Sequence, residues 1–138
     1  MSDGDHLREQ AGRGLGLARA ESEVETVLGR APLDLAGAVL RVDPPADVDV
    51  LVTCRVPFVR CGWFSEVGVE LVDEHGTTRD RAGLAYGLGG GTGEMTLEEL
   101  VPAGSGSITR YLRGATTRGK AVANHRARGR ITMEATAR

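Results

Sequence analysis

The segment 65–86 constrains the fold more than any other part of this sequence. Its first half alternates apolar with polar residues and then meets a turn-like Asp-Glu-His-Gly at 73–76. The apolar positions are Val67, Val69 and Leu71, and the acidic positions are Glu66 and Glu70. This pattern predicts a β-hairpin with one buried and one solvated face. It predicts an antiparallel sheet at the core and argues against a helical bundle or a parallel nucleotide-binding fold.

The chain has 138 residues, the size of one domain. Residues 1–12 are polar and predict a flexible N-terminus, and residues 13–138 predict a single domain. Aromatic residues make up only 4% of the sequence, so Val, Leu and Ala have to fill the interior. A sheet with such small core side chains gains little from burial, which favours self-association, with a dimer as the expected state. We expect Phe58, Trp63 and Phe64 in the core or at a subunit interface.

The two cysteines indicate a reducing compartment. Cys54 and Cys61 are seven positions apart, which places them on opposite faces of a regular strand, so we expect no disulfide between them. The start of the chain is acidic and lacks the apolar run of a signal peptide. No apolar stretch approaches the roughly 20 residues that span a bilayer. These features predict a cytoplasmic protein without a membrane segment.

The remaining segments give weaker indications of structure. Apolar residues recur at helical spacing in 17–28 and again in 94–100, which predicts a helix in each. Segment 33–40 fits a short helix or a buried strand, because eight residues do not distinguish the two periods. Alternating valines predict a strand over 48–56 that ends at Pro57. The last strand candidates are 108–112, 120–124 and 130–135.

Two phrases resemble hot-dog-fold acyl-CoA thioesterases of the phenylacetate-pathway type. The first is Ser-Ile-Thr-Arg-Tyr-Leu-Arg-Gly-Ala at 107–115, followed by Gly-Lys-Ala-Val-Ala at 119–123 and Ala-Arg-Gly-Arg at 127–130. The second is the hairpin segment 62–86, which is similar to the closing strand pair of that family. Together they cover about half the chain, and they stand in the reverse of the family's order. The resemblance implies an α+β fold, an antiparallel β-sheet packed on one helix as a homodimer. The alternative is an all-β sandwich with a short N-terminal helix.

The resemblance also implies a catalytic site. Glu98 falls near the family's acidic position and would act as general base or nucleophile on a thioester. The glycine-rich stretch 87–93 would place the backbone N–H groups of Gly90 and Gly91 against the carbonyl oxygen, although the His that precedes this Gly pair in the family is absent. The alternative for Glu98 is a solvated side chain on a helix surface beside Glu94 and Glu99.

Charge is distributed unevenly along the chain. Residues 108–138 contain eight Arg or Lys and one acidic residue, whereas residues 1–107 contain nine basic and eighteen acidic residues. Arg126, Arg128 and Arg130 alternate with small residues and would share one strand face, which predicts a binding site for the phosphates of coenzyme A. Nucleic acid is the weaker candidate ligand, because Tyr111 is the one ring in the basic segment. The alternative is pairing of these arginines with the acidic part of the chain.

The function that these features favour is an acyl-CoA thioesterase-like or acyl-thioester-binding protein. The alternative is a non-enzymatic β-rich structural or assembly/binding module. The three histidines are scattered, so the sequence predicts no metal site and no cofactor, and a coenzyme A thioester and a second copy of the chain are the expected partners.

Overall fold

The computed structural model describes residues 16–138, and regular structure in that part of the chain is almost entirely β-strand. The one exception is a 3-10 turn at His125–Ala127. The strands are β1 Gly16–Ser22, β2 Thr26–Leu28, β3 Leu33–Val42, β4 Val50–Cys61, β5 Glu66–Asp73, β6 Thr78–Ala85, β7 Gly91–Val101, β8 Ile108–Arg118, β9 Ala121–Ala123 and β10 Ile131–Ala137. The predicted flexible segment 1–12 lies outside the described residues.

The strands form two antiparallel sheets that pack face to face. The first sheet is centred on β4, which pairs with β7 on one side. On its other side, β4 pairs with β10 along its first half and with β9 at its end, and β1 and β2 lie outside these two strands. The second sheet has the order β3-β8-β5-β6. Every strand pairing is antiparallel, as the hairpin pattern predicted.

The core lies between the sheets and consists of aliphatic side chains, as the low aromatic content predicted. The largest fully buried side chains include Leu35, Leu40, Leu71, Met95, Leu112, Ile131 and Met133. Strands of both sheets alternate buried residues with more accessible ones, and in β10 buried and half-buried residues alternate along the whole strand. No Phe, Trp or Tyr is among the buried hydrophobic residues of the described chain.

The predicted hairpin is confirmed. Strands β5 and β6 pair with Val67 opposite Leu84 and Glu70 opposite Arg81. Val67, Val69 and Leu71 are buried, whereas Glu70 lies on the outer face and pairs with Arg81 at 3.1 Å. The connecting turn is held by the Asp73 carboxylate, which accepts backbone N–H bonds from His75 and Thr77 at 2.9 and 3.0 Å.

The predicted helices are wrong. Segment 17–28 forms β1 and β2. Val24 and Val27, which would lie on the buried face of the predicted helix, are exposed. Segment 94–100 lies in β7, where positions 95, 97, 99 and 101 point inwards. The inward residue at position 99 is Glu99, so a buried charge interrupts the apolar alternation that would have indicated a strand. Segment 33–40, whose sequence fits either a helix or a strand, belongs to β3.

The resemblance to hot-dog thioesterases is therefore contradicted. A hot-dog fold needs a long central helix against one curved sheet, and residues 16–138 form two packed sheets with no α-helix. The expected α+β class is wrong. The all-β sandwich alternative fits the sheets, but the N-terminal helix that accompanied it is absent from the described residues.

Strand β4 continues past Pro57 through a bulge, so the predicted end of this strand is also wrong. The register against β7 shifts between Val56 and Val59, and Phe58 adopts a φ of 48°. One extra residue reverses the alternation, and Cys54 and Cys61 both point inwards instead of to opposite faces. Both remain free thiols, and burial raises the pKa of Cys54 to about 12, which makes it a poor nucleophile.

Candidate functional site: the aromatic end of the sandwich

Most loops of the sandwich collect at two opposite ends, whereas loops 23–25 and 124–130 lie beside the middle of β4. Loops 29–32, 62–65, 86–90 and 119–120 lie where β4 terminates, and loops 43–49, 74–77 and 102–107 lie where it begins. Strand β4 has twelve residues, so the two ends are about 40 Å apart. The first group of loops contains Arg30 and Lys120 and no carboxylate.

Three large apolar side chains are exposed at this first end, which we call the aromatic end. Trp63 is 63% exposed, Phe64 is 55% exposed and Leu88 is 74% exposed. The backbone N–H of Phe64 donates to the carbonyl of Gly87 at 2.9 Å, and the N–H of Tyr86 donates to the carbonyl of Ser65 at 2.9 Å. These bonds hold loops 62–65 and 86–90 side by side, so the two rings and Leu88 lie at one surface.

The glycine-rich stretch makes this close approach possible. A Cβ atom at Gly90 would lie 2.3 Å from the carbonyl oxygen of Cys61, and Gly90 has a φ of 68°. A Cβ at Gly91 would lie 2.3 Å from the ring of Tyr86. The absence of side chains at Gly90 and Gly91 therefore has a packing role: it lets the β6–β7 loop lie against the end of β4.

A buried serine ties a third loop to the aromatic end. Ser65 is fully buried, and its Oγ accepts the backbone N–H of Lys120 at 3.1 Å. The N–H of Gly62 donates to the carbonyl of Lys120 at 3.0 Å. Gly119 is again required, since a Cβ there would lie 2.2 Å from the Ser65 Oγ. The end that exposes Trp63 is thus a fixed surface rather than a set of independent loops.

The residues of the predicted thioesterase site do not come together. Gly90 is at the aromatic end, whereas Glu98 is exposed on β7, eight residues further along an extended strand and about 26 Å away. The backbone N–H of Glu98 donates to the carboxylate of Asp80 at 2.8 Å. Glu98 and Asp80 both line a shallow hollow of about 430 Å³ on the first sheet.

The predicted row of arginines is not a strand face. Residues 124–130 form a 3-10 turn and loop in which Asn124, Arg126 and Ala127 have φ values of 53°, 59° and 51°. Arg130 pairs with Glu21 at 3.0 Å and with Glu23 at 2.9 Å, as the internal-pairing alternative predicted. The side chains of Arg126 and Arg128 are exposed and form no ion pair with residues 16–138, although the backbone N–H of Arg126 donates to the Glu25 carboxylate at 2.6 Å. Binding of a phosphate group by these two side chains stays a prediction.

Internal pairing accounts for other arginines of the basic segment as well. Arg113 lies 3.4 Å from Asp34, and Arg118 lies 3.6 Å from Glu66. Both pairs are at the surface of the second sheet. Arg113 also lines a groove of about 450 Å³ whose other lining residues include Gly68, Gly83 and Ala115.

The most buried pairing joins the two sheets near the opposite end. Arg110 on β8 donates to both oxygens of Glu99 on β7, at 2.7 and 3.0 Å. Arg79 on β6 donates to Glu99 at 2.9 Å and lies 3.8 Å from Asp73. Burial raises the pKa of Glu99, but Arg110 and then Arg79 outweigh it, so that the pKa lies below its ordinary value of 4.5. This cluster has a structural role, because its charges satisfy one another.

The sequence places Trp63 and Phe64 either in the core or at a subunit interface and does not decide between the two. They are not in the core of this chain, and Leu88 was not identified at all. The missing information was the contact between loops 62–65 and 86–90, which lie more than twenty positions apart. The glycine run was the available signal, because glycines in such density indicate close backbone packing.

Comparison with known proteins gives likeness only to solved structures. No protein-family model matches the chain, and no curated protein matches it. A TNF structure from S. frugiperda, Eiger, has 9% identity and a TM-score of 0.48, with 89% of this chain and 93% of that chain covered. A chain of Bacillus endospore appendages, described as disulfide-linked pili, has 9% identity and a TM-score of 0.45 over 90% of each chain. A carbohydrate-binding module of Cellvibrio mixtus lichenase 5A has 13% identity and a TM-score of 0.42, covering 88% of this chain and 98% of that chain.

Residues 16–138 contain neither a metal-binding cluster nor a membrane-spanning helix. No three His, Cys, Asp or Glu side chains in that range are grouped so that they could hold a metal ion. No helix there has the length and apolar character needed to cross a membrane.

Proposed function

We propose that this chain is an assembly module, a rigid β-sandwich that associates with further copies of itself through the aromatic end. The observation that carries the proposal is the joint exposure of Trp63, Phe64 and Leu88 on loops that are hydrogen-bonded to one another. Scattered exposed apolar residues are normal, but several large ones on adjoining loops, with a Trp among them, are typical of an interaction surface.

The loops need little reordering before they bind. Phe64 is held in the left-handed region, with a φ of 52°, by its hydrogen bond to Gly87, and Ser65 anchors the base of its loop. A non-glycine residue with this conformation persists only where its surroundings impose it. Because the loops are already ordered, association loses less conformational entropy than it would with mobile loops.

The size of the surface limits the affinity that it provides. At about 150–250 Å² per aromatic side chain, the exposed parts of Trp63 and Phe64 amount to roughly 250 Å². Burying that area contributes about 6 kcal/mol, which is similar to the free-energy cost of bringing two proteins together. The aromatic end therefore acts as the centre of an interface, and the partner surface has to contribute further contacts around it.

The proposal predicts that Trp63→Ser combined with Leu88→Ser abolishes self-association. The wild-type chain should form larger species as its concentration rises through the range from roughly 1 µM to 1 mM, whereas the double variant should remain at the monomer mass of 14.6 kDa. Sedimentation velocity at several concentrations measures this directly.

A matched control removes exposed apolar side chains elsewhere. Val24→Ser combined with Val39→Ser changes residues that are 52% and 44% exposed and lie away from the aromatic end. This variant should associate like the wild type. A wild-type chain that stays monomeric across the whole range contradicts the proposal, and so does equal loss of association in both double variants.

A further inference from the structure

The opposite end of the sandwich presents a different apolar surface. Its loops carry Pro44, Pro45 and Ala46 between β3 and β4, and Pro102 and Ala103 between β7 and β8. Pro102, Ala103 and Ala46 are exposed, and the other two prolines are half-buried. We call this surface, defined by these five residues, the proline end.

The proline end is also held in place by hydrogen bonds between its loops. The Asp49 carboxylate accepts the backbone N–H of Ala103 at 2.8 Å, and the Asp49 carbonyl accepts the N–H of Arg138 at 2.8 Å. The hydroxyl of Ser107 donates to the carboxylate of Asp43. Loops 43–49 and 102–107 thus form one preformed surface, in the same way that loops 62–65 and 86–90 do at the aromatic end.

The charges of the two ends are opposite in sign. The loops of the proline end contain four carboxylates, from Asp43, Asp47, Asp49 and Glu74, and no Lys or Arg. Glu74 is paired with Arg110 of β8 at 3.3 Å, and Arg138 adjoins the loops through its bond to Asp49, so the negative charge of this end comes mainly from the three aspartates. The loops of the aromatic end contain Arg30 and Lys120 and no carboxylate. Both cations are exposed and have no carboxylate within 4 Å among the described residues. The aromatic end of one copy is therefore attracted to the proline end of another. Two aromatic ends, or two proline ends, repel each other.

We infer that the aromatic end of one copy docks on the proline end of the next, so that the chain assembles head to tail. Aromatic side chains pack favourably on proline rings, which is the basis of proline-rich peptide recognition. Trp63 and Phe64 supply the rings, the prolines supply the rigid apolar surface, and Arg30 and Lys120 lie opposite the carboxylates. The prolines and the charge pairs thus provide the contacts around the two rings that a stable interface requires.

The geometry of one copy makes such an assembly open rather than closed. The two surfaces are at opposite ends of β4, about 40 Å apart, and face away from each other. A heterologous contact of this kind adds copies in a row unless its rotation closes a ring. The inference rests on the proposed assembly function and specifies which surface receives the aromatic end.

Complementary capping variants test the inference. Trp63→Ser with Leu88→Ser blocks the aromatic end, and Ala46→Lys with Ala103→Lys blocks the proline end without removing any of its carboxylates. Each variant alone should sediment as a monomer at concentrations where the wild type forms larger species. An equimolar mixture should form a complex of twice the monomer mass and nothing larger, because each complex then has two blocked ends.

A control places the same two charges between the ends. Ala36→Lys with Val39→Lys changes exposed positions on β3 and should assemble like the wild type. Melting temperatures of all variants establish that each is folded at the temperature of the experiment. Added salt should weaken wild-type association, because the two ends attract through exposed charges.

The outcomes separate the inference from the proposed function. If Ala46→Lys with Ala103→Lys leaves association unchanged while the aromatic-end variant loses it, copies meet through two aromatic ends; the assembly function stands and the head-to-tail arrangement is wrong. A mixture of the capping variants that stays monomeric overturns the arrangement in the same way. A wild-type chain that never associates overturns both.

Discussion

Replacing Arg110 with Met should lower the free energy of unfolding by about 3 kcal/mol, because the change leaves Glu99 charged and buried with Arg79 as its remaining ionic partner. Arg110 and Glu99 are 6% and 8% exposed and join the two sheets, so neither side chain regains water without separating them. Urea denaturation at pH 7 measures the loss. Met has an unbranched side chain that fills much of the space of Arg, which limits the contribution of a cavity.

Two controls isolate the buried ion pair. Arg113→Met on the same strand removes an arginine whose partner, Asp34, is 67% exposed, and should cost less than 1 kcal/mol. Arg110→Met combined with Glu99→Met removes both charges and should be more stable than the single variant. If Arg110→Met and Arg113→Met lower the free energy of unfolding equally, Glu99 is not held by a buried ion pair.

The effect of Arg110→Met should also depend on pH. The pKa of Glu99 is lowered in the folded protein, so its ion pairs stabilise the fold fully above pH 4.5 and lose that contribution as the pH falls through the folded-state pKa. Protonation of Glu99 also relieves the uncompensated charge in the variant. The stability difference between wild type and variant should therefore be largest at neutral pH and shrink below pH 4.5.

Gly90→Ala should destabilise the protein by about 3 kcal/mol, because the new methyl group meets backbone that has no room to move. Its φ of 68° alone costs a non-glycine residue about 1–2 kcal/mol. The Cβ would in addition lie 2.3 Å from the carbonyl oxygen of Cys61, at the end of the central strand β4. Relief of that clash requires loop 86–90 to move away from loop 62–65, so the variant should also associate less.

Gly89→Ala is the matched control for this prediction. Gly89 has a φ of 87° but no atom within 4 Å of its Cβ position, so its substitution carries the conformational cost without the clash. We expect a loss of about 1 kcal/mol in urea denaturation and unchanged association. Equal losses of unfolding free energy in Gly89→Ala and Gly90→Ala would mean that loops 62–65 and 86–90 do not approach each other as closely as described.

The sequence predicted those parts of the fold in which local pattern and burial agree. The hairpin 65–86 is predicted correctly because the inner positions Val67, Val69 and Leu71 of its first strand are all aliphatic and its turn is rich in polar residues. Strand β7 is mistaken for a helix, because Glu99 occupies one of its inner positions. Arg110 of the other sheet neutralises this charge. A charge that is stabilised by a distant residue conceals the period-2 pattern, since that pattern is recognised by hydrophobicity alone.

Similar reasoning applies to the strand that carries the cysteines. The alternation of β4 reverses at Phe58, whose φ of 48° no propensity indicates for a phenylalanine. Pro57 was interpreted as a strand end, whereas the structure accommodates it in a bulge. A bulge changes the face of every later residue, and its position depends on the partner strand β7 rather than on β4 itself.

The candidate site was predictable only in part. Trp63 and Phe64 were expected in the core or at a subunit interface, and their exposure on the folded chain excludes the first of these. Their proximity to Leu88 depends on hydrogen bonds between loops that belong to different hairpins. The resemblance to thioesterases placed Glu98 and Gly90 in one site, but an extended strand separates them, and the helix that would have brought them together does not form.

The fluorescence of Trp63 tests the central claim most directly, because it is the only tryptophan in the chain. If copies associate through the aromatic end, raising the protein concentration should shift the emission to shorter wavelength and protect it from acrylamide quenching, in parallel with the increase in sedimentation coefficient. In the Ala46→Lys, Ala103→Lys variant the emission should remain that of an exposed indole at every concentration. Association that proceeds while Trp63 stays fully quenchable would show that copies meet elsewhere and would contradict the account.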